Sequence, residues 1–307
     1  MVCVYLLYPI SHSKGEGRNA ADYLYKSQIA AYESHRAMFE GYSRNKYTST
    51  GVIQWMLNNA FPQMVWHLYD FYFNPGGSYF GAKKGCELLH PQWSPADNAV
   101  YVVNSAYVPV AAGIQLKLLI FDLHGKPLQT EQVFTLPQIH ADNSLYVTTI
   151  DSEPAVPLTY MIRLSLWDGV HLLTTNDYWQ SSKPDILDWK NSTFYTTFCT
   201  SYADFTVLQT LPHIELIVEH NITTSSASVR LTNPLSDSIV FAVHVRLIVA
   251  VSHTTASVDV APIDWSDNFI TLLPAETRTV TAQYPQQEFL PKVVIESYNN
   301  VCGGHNI

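Results

Sequence analysis

A chain of 307 residues with a net charge of -9, 47% hydrophobic and 14% charged, has room for two or three domains and apolar surface for sizeable cores. That balance excludes intrinsic disorder. The scattered Lys and Arg argue against nucleic acid as partner, since phosphate neutralisation needs them clustered. Only Lys83 and Lys84 adjoin, and such a pair reads as a solvated helix face. Cys3, Cys86, Cys199 and Cys302 are far apart and form no CxxC or CxxH unit, so neither a zinc knuckle nor a dithiol redox site is expected. The opening MVCVYLLYPISHS lacks a basic n-region and a clean cleavage site, and is too short to span a bilayer. Two sequons, at Asn191 and Asn221, would matter on a eukaryotic secretory route.

In chain order, Asn19 is a helix N-cap with Asp22 three residues on, where a carboxylate reaches free backbone amides. Tyr25, Ile29, Tyr32, Arg36 and Phe39 then recur at helical spacing, with Lys26, Glu33 and Glu40 off that stripe, and Gly41 is a fitting stop. The stretch at 50–75, TGVIQWMLNNAFPQMVWHLYDFYFNP, is the densest apolar and aromatic run in the chain. Its first half, 51–57, predicts a strand buried on both faces. Phe61-Pro62 predicts a short helix reaching Tyr72, on which His67 and Asp70 could meet as a structural pair. Asn74-Pro75-Gly76-Gly77 breaks it, and Ser78 caps a further helix over 79–89.

Beyond His90 the period changes to that of strands, at 99–103, 114–121, 131–136, 145–150, 160–166 and 170–175, with turns at 124–127 and 168–169. After a polar linker at 181–188 a second set follows, at 214–218, 226–231, 240–251, 269–273, 277–284 and 292–296. Strands at that spacing with turns between them make sandwiches of immunoglobulin-like size. Asp264, Asp267 and Asn268 around Trp265 read as local turn chemistry.

The run from TGVIQWMLNNAFPQ through WHLYDFYFNPGGSYFGAKKGCELLHPQWSPADNAVYVVN resembles glycoside hydrolase family 2 exo-β-D-glucosaminidases where barrel strand eight passes into the following sandwich. YLYKSQIAAYESHRAMFEGYSRN is similar to the preceding helix, NDYWQSSKPDILDW to the link between two C-terminal sandwiches, and PIDWSDNFITLLPAETRTVTAQYP to the closing immunoglobulin-like domain. Plant-type mannosylglycoprotein endo-β-mannosidases are similar in the same region. The resemblance implies a mainly β chain: two immunoglobulin-like β-sandwiches, 91–182 and 183–307, preceded over 1–90 by the last helix-strand-helix piece of a truncated (β/α)8 barrel.

By the same resemblance the parent would release β-linked amino sugar with retention and without a cofactor, outside the cell or along a secretory route. Its two catalytic carboxylates, about 5 Å apart in a retaining enzyme, would lie upstream of residue 1, leaving this chain alone inactive. Glu16, Glu33 and Glu40 are expected as solvated acids. What the resemblance leaves is a wall of the site: Trp55 as a platform for a sugar face, with Asn58 and Asn59 as hydrogen-bonding rim. Trp55 as barrel core and the two Asn as turn formers are the plain structural readings. Phe61 stands where relatives often have Trp.

Two other classes of function remain in play. A non-catalytic module would bind carbohydrate through Trp179, Trp189 or Trp265 on a sandwich face, or serve as a spacer. A split enzyme would be completed by a separate N-terminal chain. With one barrel strand and no neighbours, 1–90 is expected to be poorly ordered or to pack on the first sandwich.

Overall fold

The computed structural model describes residues 13–63, 67–150, 156–194, 197–250 and 257–303. The chain divides into two compact units: one takes Glu33–Ile53 and Gly81–Phe205, the other Lys14–Tyr32, Gln54–Phe80 and Thr206–Ile307. Helix α1, Ala20–Arg44, contributes its residues to both. The described residues of 13–90 are thus divided between the two units and do not all fall with the first sandwich.

The start of α1 follows the sequence. Asn19 Oδ1 accepts the Asp22 N–H at 3.0 Å, and Asp22 Oδ2 accepts the Arg18 N–H at 2.8 Å, a reciprocal cap. Tyr25, Ile29, Tyr32 and Arg36 are buried as the stripe requires. The expected stop at Gly41 is overturned, because contacts distant in sequence hold another turn. Ser43 Oγ donates to Gln92 Oε1 at 3.0 Å, and Arg44 pairs with Asp97 at 2.9 Å.

Two residues assigned to the solvated side of α1 are buried. Lys26 donates to Asp22 and to the carbonyls of Gly15 and Glu16, which together replace its hydration. Glu40 enters a buried network described below. Glu33 is half-buried and accepts the Trp179 indole N–H at 3.2 Å, while Glu16 is exposed.

Residues 51–57 form no strand, which corrects the reading of a buried strand. Ile53 is 89% exposed and Trp55 71%, so apolar density alone did not mean burial. The expected helix after Pro62 is also absent over its described part, and His67 and Asp70 do not meet on a helix. Trp66 lies outside the described residues. Helix α2, Gly77–Gly85, begins earlier and ends earlier than 79–89. A Cβ at Gly77 would lie 1.9 Å from the Gln28 carbonyl, so only glycine lets α2 start this close to α1. Lys84, expected in solvent, is buried and paired with Glu87 at 2.7 Å.

The first unit holds a sandwich of two antiparallel sheets. One orders β1 (Leu89–Trp93), β2 (Ala99–Asn104) and β5 (Asn143–Thr149) as β1-β2-β5. The other orders β4 (Gln132–Thr135), β3 (Gln115–Phe121), β6 (Thr159–Asp168) and β7 (His171–Ser181) as β4-β3-β6-β7. Alternate residues of both sheets meet in one core, with Val100 and Val102 from one face and Leu116, Leu118, Ile162, Leu164 and Leu166 from the other. Each such side chain contributes about 1.5–3 kcal/mol by leaving water. Asp122 Oδ1 accepts the N–H groups of His124 and Lys126, closing the turn read from the sequence.

A short hairpin, β8 (Ile186–Leu187) with β9 (Cys199–Ser201), occupies the linker region. In the second unit β10 (Ile217–Ile222), β11 (Ser226–Thr232), β16 (Thr277–Gln283) and β14 (Asp264–Trp265) order as β10-β11-β16-β14. Strand β12 (Val240–Ala250) pairs with β13 (Ser257–Asp259), β15 (Ile270–Leu272) and β17 (Lys292–Glu296). The register slips between Val240 and Val243, where Ala242 has φ of 50° and its carbonyl accepts the Tyr25 hydroxyl at 2.6 Å. The Asn268 amide bonds both the N–H and C=O of Val245, serving β12 as a strand would. A last turn, α3 (Tyr298–Val301), is capped by Ser297.

Candidate functional site

The candidate residues sit in 54–75, a segment of the second unit organised by hydrogen bonds instead of a sheet. The Leu57 carbonyl accepts from both Leu68 N–H (3.1 Å) and Tyr69 N–H (2.9 Å), and the Gly76 N–H returns to Leu68 O at 3.2 Å. Asp70 builds the loop that follows: its carboxylate accepts the N–H groups of Tyr72 (2.8 Å) and Asn74 (2.9 Å) and the Asn74 side-chain amide (3.0 Å). Those bonds engage both carboxylate oxygens of the one acid in the segment.

Trp55 precedes this knot and projects its indole into solvent. Asn58 is exposed and bridges to Tyr69 through the backbone. Asn59 is 2% exposed, with its amide between Gln63 Nε2 (2.7 Å) and His67 Nδ1 (2.5 Å). The His67 carbonyl in turn accepts the buried Ser78 hydroxyl at 2.6 Å. Phe61, Tyr72 and Phe73 are also more than half exposed, so the segment is an aromatic surface on a hydrogen-bonded base. Asn59, Gln63 and His67 stand at i, i+4 and i+8, the spacing of one helix face, yet no helix forms over their described residues, so helical periodicity did not reveal how they meet.

A second polar cluster lies in the first unit. Glu40 Oε1 meets His90 Nε2 (2.8 Å) and accepts from Tyr178 OH (2.8 Å) and Asn176 Nδ2 (2.7 Å). His90 Nδ1 meets Glu87 (3.2 Å), which also accepts from Lys84 Nζ (2.7 Å) and Thr174 Oγ1 (2.7 Å). The Arg36 guanidinium lies 4.2 Å over the Tyr178 ring. Burial would raise the Glu40 carboxyl, but the His90 hydrogen bond and the Arg36 and His90 charges outweigh it and hold it below the ordinary range. Glu87 is brought to about 2, since His90 and Lys84 outweigh its burial. Burial opposes the charged form of His90, yet hydrogen bonds to Glu40 and Glu87 raise it. With an imidazole filling the space between the two acids, no scissile bond can enter, and the cluster is structural.

Of the sandwich tryptophans, Trp179 and Trp265 are buried and Trp189 is 72% exposed. A small cavity in the second unit is lined by His244, Arg246, Asp259 and Asn268, but Arg246 is neutralised by Asp259 and Glu296. Among the described residues no three His, Cys, Asp or Glu side chains gather as metal ligands, and no helix is long and apolar enough to cross a membrane.

Comparison with known proteins matches residues 194–300 to the exo-beta-D-glucosaminidase Ig-fold domain family. The exo-beta-D-glucosaminidase of Streptomyces avermitilis is 32% identical over 93% of this chain, and that of Arthroderma benhamiae is 33% identical over the same share. The chain spans 32% of the length of each. The solved complex of a Glu-to-Ala variant of the Amycolatopsis orientalis exo-chitosanase CsxA with PNP-beta-D-glucosamine is 28% identical, covering 96% of this chain and 36% of that one, with a TM-score of 0.88. The chain is therefore a relative of the exo-β-D-glucosaminidases over nearly its whole length, and its residues 194–300 belong to their immunoglobulin-like domain family.

Proposed function

We propose that the chain is a C-terminal portion of a retaining glycoside hydrolase that releases β-linked glucosamine from amino-sugar oligomers, and that it supplies part of the sugar-binding wall. In this reading 1–90 closes a (β/α)8 barrel that the rest of the parent completes, with sandwiches over 91–182 and 183–307. The acid and nucleophile come from elsewhere in the parent. The observation carrying the proposal is Trp55, an indole 71% exposed beside a hydrogen-bonded loop, in a chain similar to enzymes of this class. An exposed indole face stacks on the C–H face of a pyranose and excludes water from it. Asn58, three residues on, is exposed and its side chain is open to sugar hydroxyls, while Asn59 next to it is buried.

Calorimetric titration of the 307-residue chain with glucosamine oligomers tests the wall. Heat that is lost in Trp55→Ala supports the reading, and heat unchanged by that substitution overturns it. Turnover of PNP-β-D-glucosamine by the chain alone, persisting after removal of contaminating activity, would refute the assignment of chemistry to other parts of the parent. Exposed Trp189 favours one second reading, a carbohydrate-binding face on the linker hairpin. Loss of heat in Trp189→Ala, with Trp55→Ala unchanged, would select it.

A further inference from the structure

We infer that Asn59 is a positioning residue which, with His67 and Gln63, fixes the backbone from which Trp55 meets its sugar. The inference rests on the proposed reading of Trp55 as a platform. Asn59 is 2% exposed, whereas Asn58, Ala60 and Phe61 around it are exposed, so its side chain is turned inward from the surface its neighbours present. The two amide ends are distinguishable. Oδ1 accepts from Gln63 Nε2, so Nδ2 is the end that faces His67 Nδ1. In this arrangement that ring nitrogen is the acceptor of the pair. Asparagine suits the position because one planar amide supplies a donor and an acceptor to two half-buried partners. A leucine there would strand both of them.

Two further ties act on the same piece of chain. Leu57 O takes the N–H groups of Leu68 and Tyr69, and His67 O takes the Ser78 hydroxyl at the start of α2. Residues 57–59 are thereby bound to 67–69 through backbone and side chain together. Trp55 lies two residues before Leu57 and is too exposed for packing to set its direction, so its placement is inherited from this clamp. A platform held in place before the sugar arrives avoids the ordering cost that weakens binding by a mobile loop.

The test combines titration with glucosamine oligomers and the Trp55 indole N–H signal in an NMR spectrum, assigned with Trp55→Phe. Asn59→Leu is expected to weaken binding about tenfold or more and to split or broaden the indole signal. His67→Phe should do the same, and the double variant should cost no more than either single, as for groups acting as one unit. Asn59→Asp should stay within about threefold of the parent, because its carboxylate accepts from Gln63 and from His67 in the other tautomer. Unchanged binding and an unchanged indole signal in Asn59→Leu, or additive losses in the double variant, would overturn the clamp. Loss of binding in Trp55→Ala beside intact binding in Asn59→Leu sinks the positioning role alone. Binding indifferent to Trp55→Ala sinks the underlying reading, and the indole signal still judges the clamp. If Asn59→Leu does not fold, Gln63→Leu removes one partner of the same amide and gives the same two readouts.

Discussion

Strand β6 and the segment at 51–75 are both rich in large apolar residues, yet one is largely buried and the other leaves Ile53, Trp55 and Leu57 in solvent. The difference lies in partners. β6 has β3 and β7 on its two sides and a second sheet against one face, so its backbone is laddered on both sides and Ile162, Leu164 and Leu166 are sealed. Residues 51–57 have no ladder, and the loop beyond is held by Asp70 and Asn59 through side-chain bonds. Apolar content states what a segment gains by burial. Neighbours decide whether it is buried at all.

The contrast can be broken most forcefully at Glu40. Glu40→Ala leaves His90, Tyr178 and Asn176 facing a hole where a carboxylate stood, and should cost about 3–5 kcal/mol in chemical denaturation. Leu164→Ala, a cavity in the sealed region, should cost about 2–5 kcal/mol. Leu57→Ala and Ile53→Ala should stay within about 0.5 kcal/mol. Equal losses at Leu164 and Ile53 would erase the distinction between the two regions. Hydrogen exchange sharpens it: amides of β6 should exchange near the global unfolding rate, and those of 51–56 orders of magnitude faster.

A smaller effect is set by the His90 cluster. Because His90 is raised from its ordinary 6.5, its contribution is present below that value and is lost as pH rises through its folded value. Glu87 is lowered from 4.5 to about 2, so its contribution is present above 4.5 and is lost as pH falls toward about 2. Urea melts across pH should therefore show highest stability between about 4.5 and 6.5, and His90→Gln should flatten the alkaline limb. An alkaline limb unaltered by that substitution would remove the cluster from the stability profile. Smallest of all, Trp55→Ala should leave the melting temperature unchanged within a degree or two, while it decides sugar binding.

How much of this was legible follows the same division. The N-cap at Asn19 and the alternation in β3, β11 and β16 come from local rules, and they stand in the structure where the residues placed them. Strand β1 was missed because His90, Pro91 and Gln92 look like a turn. They are strand residues because Glu40, Asn176 and Ser43, distant in sequence, satisfy their polar groups. The continuation of α1 past Gly41 and the inward turn of Asn59 are likewise decided by tertiary partners that no window of sequence contains. The exposure of Trp55 was hidden behind the apolar run that contains it.

Strand β10 borders its sheet, and among the described residues it ladders with β11 alone, with Ile217 and Val218 uncovered. Its outer amides and carbonyls are a template on which a second molecule could crystallise a strand of its own, and mutual repulsion between acidic copies is the guard. That guard vanishes as solution acidity nears the isoelectric point of about 5.7. Concentrated samples should turn turbid there first, and a lysine in place of Val218 should keep them clear.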